Sequence, residues 1–219
     1  MKTNTAQKKP RGGRNKKSDS EDTRRALLDA ARREFAAGGL EGARVDRIAA
    51  SAGVNKQLVY HYFGSKDDLY GAVLMQAYQG IRDRERDLDL AGLPPLEAMR
   101  VLVEFSFDYL DENREFVALI TDENSHQGRH VKESEAVEPI NRPIIELIRE
   151  TLTRGADDGV FKQGLDPLQV YVSIAGLSFF YFSNAHTLSR IFGRDLLDAG
   201  AVAERRAHVV DFALDALTP

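Results

Sequence analysis

The feature that most constrains this chain is a pair of short helical stretches hinged on one glycine. From about Val45 to Ala52, the apolar positions Val45, Ile48, Ala49 and Ala52 recur at helical spacing. Gly53 breaks the stretch, Val54 plugs the turn, and a second stretch runs roughly from Asn55 to Phe63, where Gly64 stops it. Upstream, from near Ser20 or Asp22, Leu27, Ala30, Ala31, Glu34 and Phe35 recur at three- and four-residue steps until Gly38 and Gly39. Two short helices joined by a tight Gly turn and packed on a first helix form a helix-turn-helix. Small residues such as Ala49 and Gly53 let the two helices approach closely. The second helix then turns Val59, Tyr62 and Phe63 inward and leaves Lys56, Gln57, Tyr60 and His61 outside.

Charge separates this segment from the rest. The chain carries a net charge of −4, which by itself argues against a nucleic-acid partner. Residues 1–66, however, hold 15 Lys and Arg against 7 Asp and Glu, a net of +8. Residues 67–219 hold 15 against 27, a net of −12. A basic head on an acidic body points to a polyanion at one end only, because the acidic body repels phosphate. The first 18 residues carry seven positive charges and no acidic residue, with Pro10, Gly12 and Gly13 as breakers. They read as a disordered basic arm, either a solubilising tail or a phosphate-seeking extension. They lack the apolar core of a signal peptide. The absence of cysteine suits a reducing cytoplasm.

Beyond Ser65-Lys66-Asp67-Asp68, a capping-box variant that opens a long helix, every strong period is helical. A helix over about 95–112 is apolar on more than one face, which places it centrally in its domain. Helices follow over about 114–125, over 131–155 with bends expected at Pro139 and Pro143, from Pro167 onward, and over 201–217. From Leu168 to Ser189 there is no charged residue. Gln169, Ser173, Ser178, Ser183, Asn184, His186 and Thr187 make that stretch too polar for lipid, so no membrane role is expected. A helix buried on two sides fits better.

The run VDRIAASAGVNKQLVYHYFGSKDDLYGAVL resembles, in order and spacing, the DNA-binding signature of the TetR family of bacterial transcriptional regulators. Its parts are an apolar-x-x-Ile-Ala stretch, Ala-Gly-Val, an aromatic trio ending in Phe, and Ser-Lys-x-x-Leu; the match covers about residues 22–75. The resemblance implies an all-α fold in which a three-helix DNA-binding domain (19–66, after the 1–18 arm) joins a larger ligand-binding and dimerisation domain (67–219). It also places Tyr60 and His61 at the DNA backbone and Lys66 at a helix N-terminus where phosphate is welcome. Lys56 and Gln57 supply a cation and an amide for base edges, Asn55 opens the same helix, and Arg44 lies just ahead of its neighbour.

Aromatic residues cluster in the body. In the family these helices surround an effector cavity, so the candidate lining is Phe105, Tyr109, Phe116, Glu123, His126, His130, Tyr171, Ser178 and Phe182. Glu123, His126 and His130 are three and four residues apart, a spacing that on one helix face gathers ligand-type groups. Gly128 interrupts the run, and three readings stay open: a weak metal site, a metal-free polar patch in the effector pocket, or a solvated helix junction. No cofactor is expected.

Catalysis is not indicated either, since there is no cysteine, no Gly-x-Ser-x-Gly elbow, no phosphate-cradling glycine loop and no His-Glu-x-x-His. The family pairs its last two long helices across a dimer, which here are the uncharged helix and a Val202, Val209, Ala213, Leu217 stripe. The expected function is a cytoplasmic repressor released from a palindromic operator by a small-molecule effector of unknown identity. The alternative is a ligand-independent or activating DNA-binding regulator. A ligand-binding or catalytic helical protein with a vestigial head is the more distant rival.

Overall fold

A computed structural model of the chain describes residues 16–132 and 134–219, and among these there are helices and no strand. Ten α-helices follow one another: α1 Lys16–Gly42, α2 Val45–Ser51, α3 Lys56–Phe63, α4 Lys66–Arg86, α5 Pro95–Glu112, α6 Arg114–Ser125, α7 Arg129–Lys132, α8 Val137–Asp157, α9 Pro167–Phe192 and α10 Ala199–Leu217. A 3-10 turn at Leu90–Gly92 links α4 to α5. The expected arm lies outside the described residues over 1–15, and residues 16–18 belong to α1.

Local chemistry sets the helix ends. α2 closes on a Schellman motif: Gly53, at φ 69°, donates to Ala50 O, and Val54 donates to Ala49 O. Asn55 caps α3 by accepting from the Gln57 amide at 2.9 Å. Ser65 caps α4 by accepting from the Asp68 amide at 3.0 Å, and its hydroxyl donates back to Asp68 Oδ2 at 2.7 Å. At Gly39 (φ 65°, ψ 178°) α1 kinks, leaving the Leu40 amide free to donate to Asp122 Oδ2 of α6 at 2.9 Å. A Cβ at Gly39 would lie 2.6 Å from Asp122 Oδ1, so this joint between head and body requires glycine.

The 131–155 helix expected as one piece is two. α7 is a single turn, and α8 starts afresh at Val137. Pro139 falls in the first turn of α8, where its missing N–H costs little, while Pro143 sits inside the helix.

Two cores result. The first gathers Leu27, Ala31 and Phe35 of α1, Ile48 of α2, Val59 of α3 and Leu69, Tyr70, Val73 and Leu74 of α4, together with Leu119 of α6. The second joins Met99, Val103 and Phe107 of α5 with Ile148 of α8, Ile174 and Phe182 of α9 and Val209 and Leu214 of α10. Each fully buried Leu or Phe contributes on the order of 1.5–3 kcal/mol. α4 belongs to both: its N-terminal half is in the first core, and Ile81 is in the second. At 1.5 Å per residue, its 21 residues form a rod roughly 30 Å long.

Candidate nucleic-acid interface and ligand cleft

On α3, Val59 and Phe63 are buried, Tyr62 is half-buried, and Lys56, Gln57, Tyr60 and His61 face solvent. Tyr62 is held from behind, its hydroxyl 3.0 Å from Ser20 Oγ. The guanidinium of Arg24 lies over the Phe63 ring at 5.3 Å from its centroid. These contacts fix the rotation of α3 about its axis, so the polar face is displayed by packing on the opposite side. Tyr60, 45% exposed, is a large aromatic left uncovered beside His61.

The expected DNA contacts are not all idle. Lys56 Nζ is paired with Asp46 Oδ1 at 2.9 Å, and that hydrogen bond raises the lysine's pKa and lowers the aspartate's. Asn55 spends its side-chain oxygen on the α3 cap. Lys66 Nζ donates to Ala43 O at 3.3 Å. The Arg44 backbone amide is tied to Glu34 Oε1 at 3.0 Å, and its side chain stands in solvent just before α2. Gln57, Tyr60 and His61 are exposed, as are Lys56 and the Arg44 side chain.

The body departs further from expectation. The candidate pocket residues are spread over separate sites. Tyr109 and Phe116, 5.6 Å apart edge to face, line a cavity of about 230 Å³ with Arg32, Gln76 and Arg84, and Phe105 packs on Tyr109 from the side. Phe182 packs on Phe107 at 4.8 Å and borders a groove next to Arg114 and His186. Ser178 is fully buried with its hydroxyl unpaired.

The Glu123, His126, His130 set does not converge. α6 ends at Ser125, and Gln127 and Gly128 take positive φ of 61° and 67°, which turns the chain before His130. His126 Nδ1 is 2.8 Å from Asp122 O. Glu123, buried, accepts the backbone amides of His130 and Val131 at 2.8 and 3.0 Å and meets His130 Nδ1 at 2.8 Å. It is a cap for α7 and not a ligand set. Among the described residues, no three His, Asp or Glu are grouped to hold a metal ion.

A further cleft is one the sequence concealed. It lies between α4 and α8, measures about 320 Å³, and is lined by Gln79, Arg82 and Glu85 on one side and Pro139, Pro143 and Leu147 on the other. Arg82 and Glu85 are 6% and 5% exposed, with Nη1 2.8 Å from Glu85 Oε2. Arg82 Nη2 donates to the Tyr171 hydroxyl of α9 at 3.2 Å. Nε of Arg82 has no partner, and Nη1 is close to Glu85 without being aligned for a hydrogen bond. Burial lifts the Glu85 carboxyl to about 7, against the pull of Arg82. In sequence these residues sit in IRDRERDLD, which looks like any solvated charged face. The only available signal was Ile81, Arg82 and Glu85 falling on the inward face of α4.

The structure also corrects the dimer stripe. Val209, Ala213 and Leu217 are buried in the chain's own second core, and Val202 packs against it. Their periodicity reflects packing within the chain's own second core, with α5 among the neighbours of α10. Among the described residues, the uncovered large apolar side chains of the body are Leu96 of α5, Leu168, Val172, Phe180, Ile191 and Phe192 of α9 and Phe212 of α10. Among the described residues, no helix is long and apolar enough to cross a membrane.

These parts recur in known proteins. The family model described as bacterial regulatory proteins, tetR family, matches residues 27–73, and that of the tetracyclin repressor-like C-terminal domain matches residues 95–213. The HTH-type transcriptional repressor NicS of Pseudomonas putida is 35% identical over 195 residues, covering 89% of this chain and 92% of its own. Among solved structures, SCO4942 of Streptomyces coelicolor superposes with a TM-score of 0.65 at 25% identity, over 90% of this chain and 99% of the other. FadR of Bacillus subtilis, solved in complex with stearoyl-CoA, gives 0.68 at 18% identity, over 89% and 99%, and so shows the fold alone. With both halves matched in order and a relative aligned along nearly its whole length, this chain belongs to the TetR family of bacterial transcriptional regulators.

Proposed function

We propose that this DNA-binding regulator works in the cytoplasm as a homodimeric repressor, released from a palindromic operator when a small effector enters the cleft between α4 and α8. The supporting observation is α4 itself. One rigid helix is seated in the head core through Leu69, Tyr70, Val73 and Leu74, and lines the cleft through Arg82 and Glu85. A ligand that shifts the far end of the rod moves the head. Release further requires the ligand to prefer the DNA-incompetent arrangement, because equal affinity for both would shift nothing.

In this reading residues 19–66 form the DNA-binding domain and 67–219 the regulatory domain. Arg44, Asn55, Lys56, Gln57, Tyr60, His61 and Lys66 meet DNA, the side chains first and the freed cations at phosphates. Two heads on successive major grooves need a permanent partner, and Leu168, Val172, Phe180 and Phe212 offer the apolar face for it. The test is binding of the full chain to duplex DNA from upstream of its own coding sequence, with a transcriptional reporter on the same fragment. Salt-dependent binding to an inverted repeat, with reporter output rising when the gene is deleted, is the expected result. Output that falls on deletion identifies an activator, and absence of DNA binding overturns the reading.

A further inference from the structure

The α4–α8 cleft holds a cation that its own surroundings leave partly unanswered. Arg82 is buried, and a guanidinium keeps its charge whatever the medium. Its Nε–H finds no acceptor among the described residues. Tyr171 of α9, which is not among the residues lining the cleft, accepts a hydrogen bond from Nη2 and holds the guanidinium in place. Glu85 supplies the counter-charge through Nη1 only, and does so only while ionised. The opposite wall, made of Pro139, Ile140, Pro143, Ile144 and Leu147, brings apolar surface and no acceptor side chain.

We propose that this cleft receives a small organic acid, whose carboxylate is held by the Arg82 guanidinium and whose apolar or aromatic body lies against the α8 wall. The assignment rests on the regulatory reading above and names the class of effector. A planar carboxylate with two oxygens matches two adjacent donors, which a neutral apolar molecule would leave unpaired. The volume, about 320 Å³, sits at the small end of ligand pockets and suits a small acid.

A second consequence concerns protons. The ligand carboxylate and Glu85 compete for one guanidinium, so the acid binds best when Glu85 is protonated. The ionisable groups facing Glu85 are Arg82 and Arg86 on its own helix and Tyr109 from α5, and the α8 wall brings none. Around neutrality, Glu85 alone among these changes charge, since burial sets it near 7 and raises Tyr109 above its usual range. Acid affinity therefore falls as pH rises from 6 to 8, by up to about tenfold per unit once Glu85 is ionised.

The experiment uses the full-length protein in calorimetry and thermal-shift titrations with benzoate and cyclohexanecarboxylate, each against its primary amide. Expected are stabilisation by at least one acid, tenfold or greater preference over its amide, and weaker binding at pH 8 than at pH 6. Arg82→Gln should abolish the preference, and Glu85→Gln should keep acid binding while flattening the pH profile. Amides binding as tightly as acids, no binding of either acid at millimolar concentration, or an unchanged pH profile in Glu85→Gln each overturn the assignment. If a neutral compound instead releases operator DNA, the regulatory reading stands and the acid class falls. If the acids bind but the protein ignores DNA, the class stands and the regulatory reading falls.

Discussion

The head and the body treat charge in opposite ways. On α3 and its approach, cations stand in water and pair with replaceable partners, as Lys56 does with Asp46. Such surface pairs are weak and exchange readily, so a phosphate can take the place of the carboxylate. At the far end of α4, Arg82 and Glu85 are withdrawn from water, where charges are expensive and their partners few. The head displays its charge to solvent, whereas the body encloses its charge, and under the proposal above only a ligand small enough to enter the cleft reaches it. Where they join, Leu40 N–H of α1 and Tyr70 O–H of α4 both donate to Asp122 of α6.

The comparison can be broken hardest on α9 and α10, where buried and uncovered apolar side chains do different things. Val209→Asp places a carboxylate in the second core, where the native side chain is 0% exposed, and should cost about 3–5 kcal/mol or prevent folding. Phe180→Asp and Phe212→Asp, on uncovered surface, should leave the monomer folded and weaken association. Denaturant melts alongside sedimentation separate the two, and a folded Val209→Asp protein with lost dimerisation would reverse the assignment of faces.

The joint between head and body comes next. Gly39→Ala meets Asp122 at 2.6 Å in a left-handed conformation, and a loss of about 2–3 kcal/mol is expected in chemical denaturation. Tyr70→Phe keeps the ring packed at 5.0 Å on Phe35 but removes a buried donor to Asp122, for about 1–3 kcal/mol. If both substitutions also loosen operator binding, the Asp122 junction transmits position to the head. If they lower stability alone, it is only a fastening.

The smallest effects belong to the DNA face. Lys56→Ala should weaken binding and reduce the slope of log affinity against log salt by about one. Asp46→Ala should do the reverse, raising affinity a few-fold by freeing Lys56, with stability unchanged. Anisotropy titrations over a range of salt would show it. An Asp46→Ala protein with no gain would mean that Lys56 does not contact phosphate.

How far the sequence could be read differs in the same way between the two regions. Helix-turn-helix, caps and turn are local events. Ser65 and Asp68 are three residues apart, and Gly53 needs only its own positive φ, so short-range pattern suffices for them. The outward face of α3 was legible for the same reason, because Val59 and Phe63 define an inward side within two turns. The 131–155 stretch reads as one helix because apolar spacing persists across the break after α7, and the Gln127–Gly128 turn folds His130 back onto Glu123 and leaves His126 apart on Asp122, despite their helical spacing.

Sequence by itself determined an all-helical chain, a basic reading head, its polar face and the family. Tertiary structure alone decided which side of α10 is core, where Arg82 and Glu85 go, and that Asp122 ties Leu40 to Tyr70. The physical reason is that helical period says a face is covered without saying by what. A stripe such as Val209, Ala213, Leu217 is identical whether α5 or a second subunit lies over it. A charged pair such as Arg82 and Glu85 looks solvated until α8 and α9 close around it.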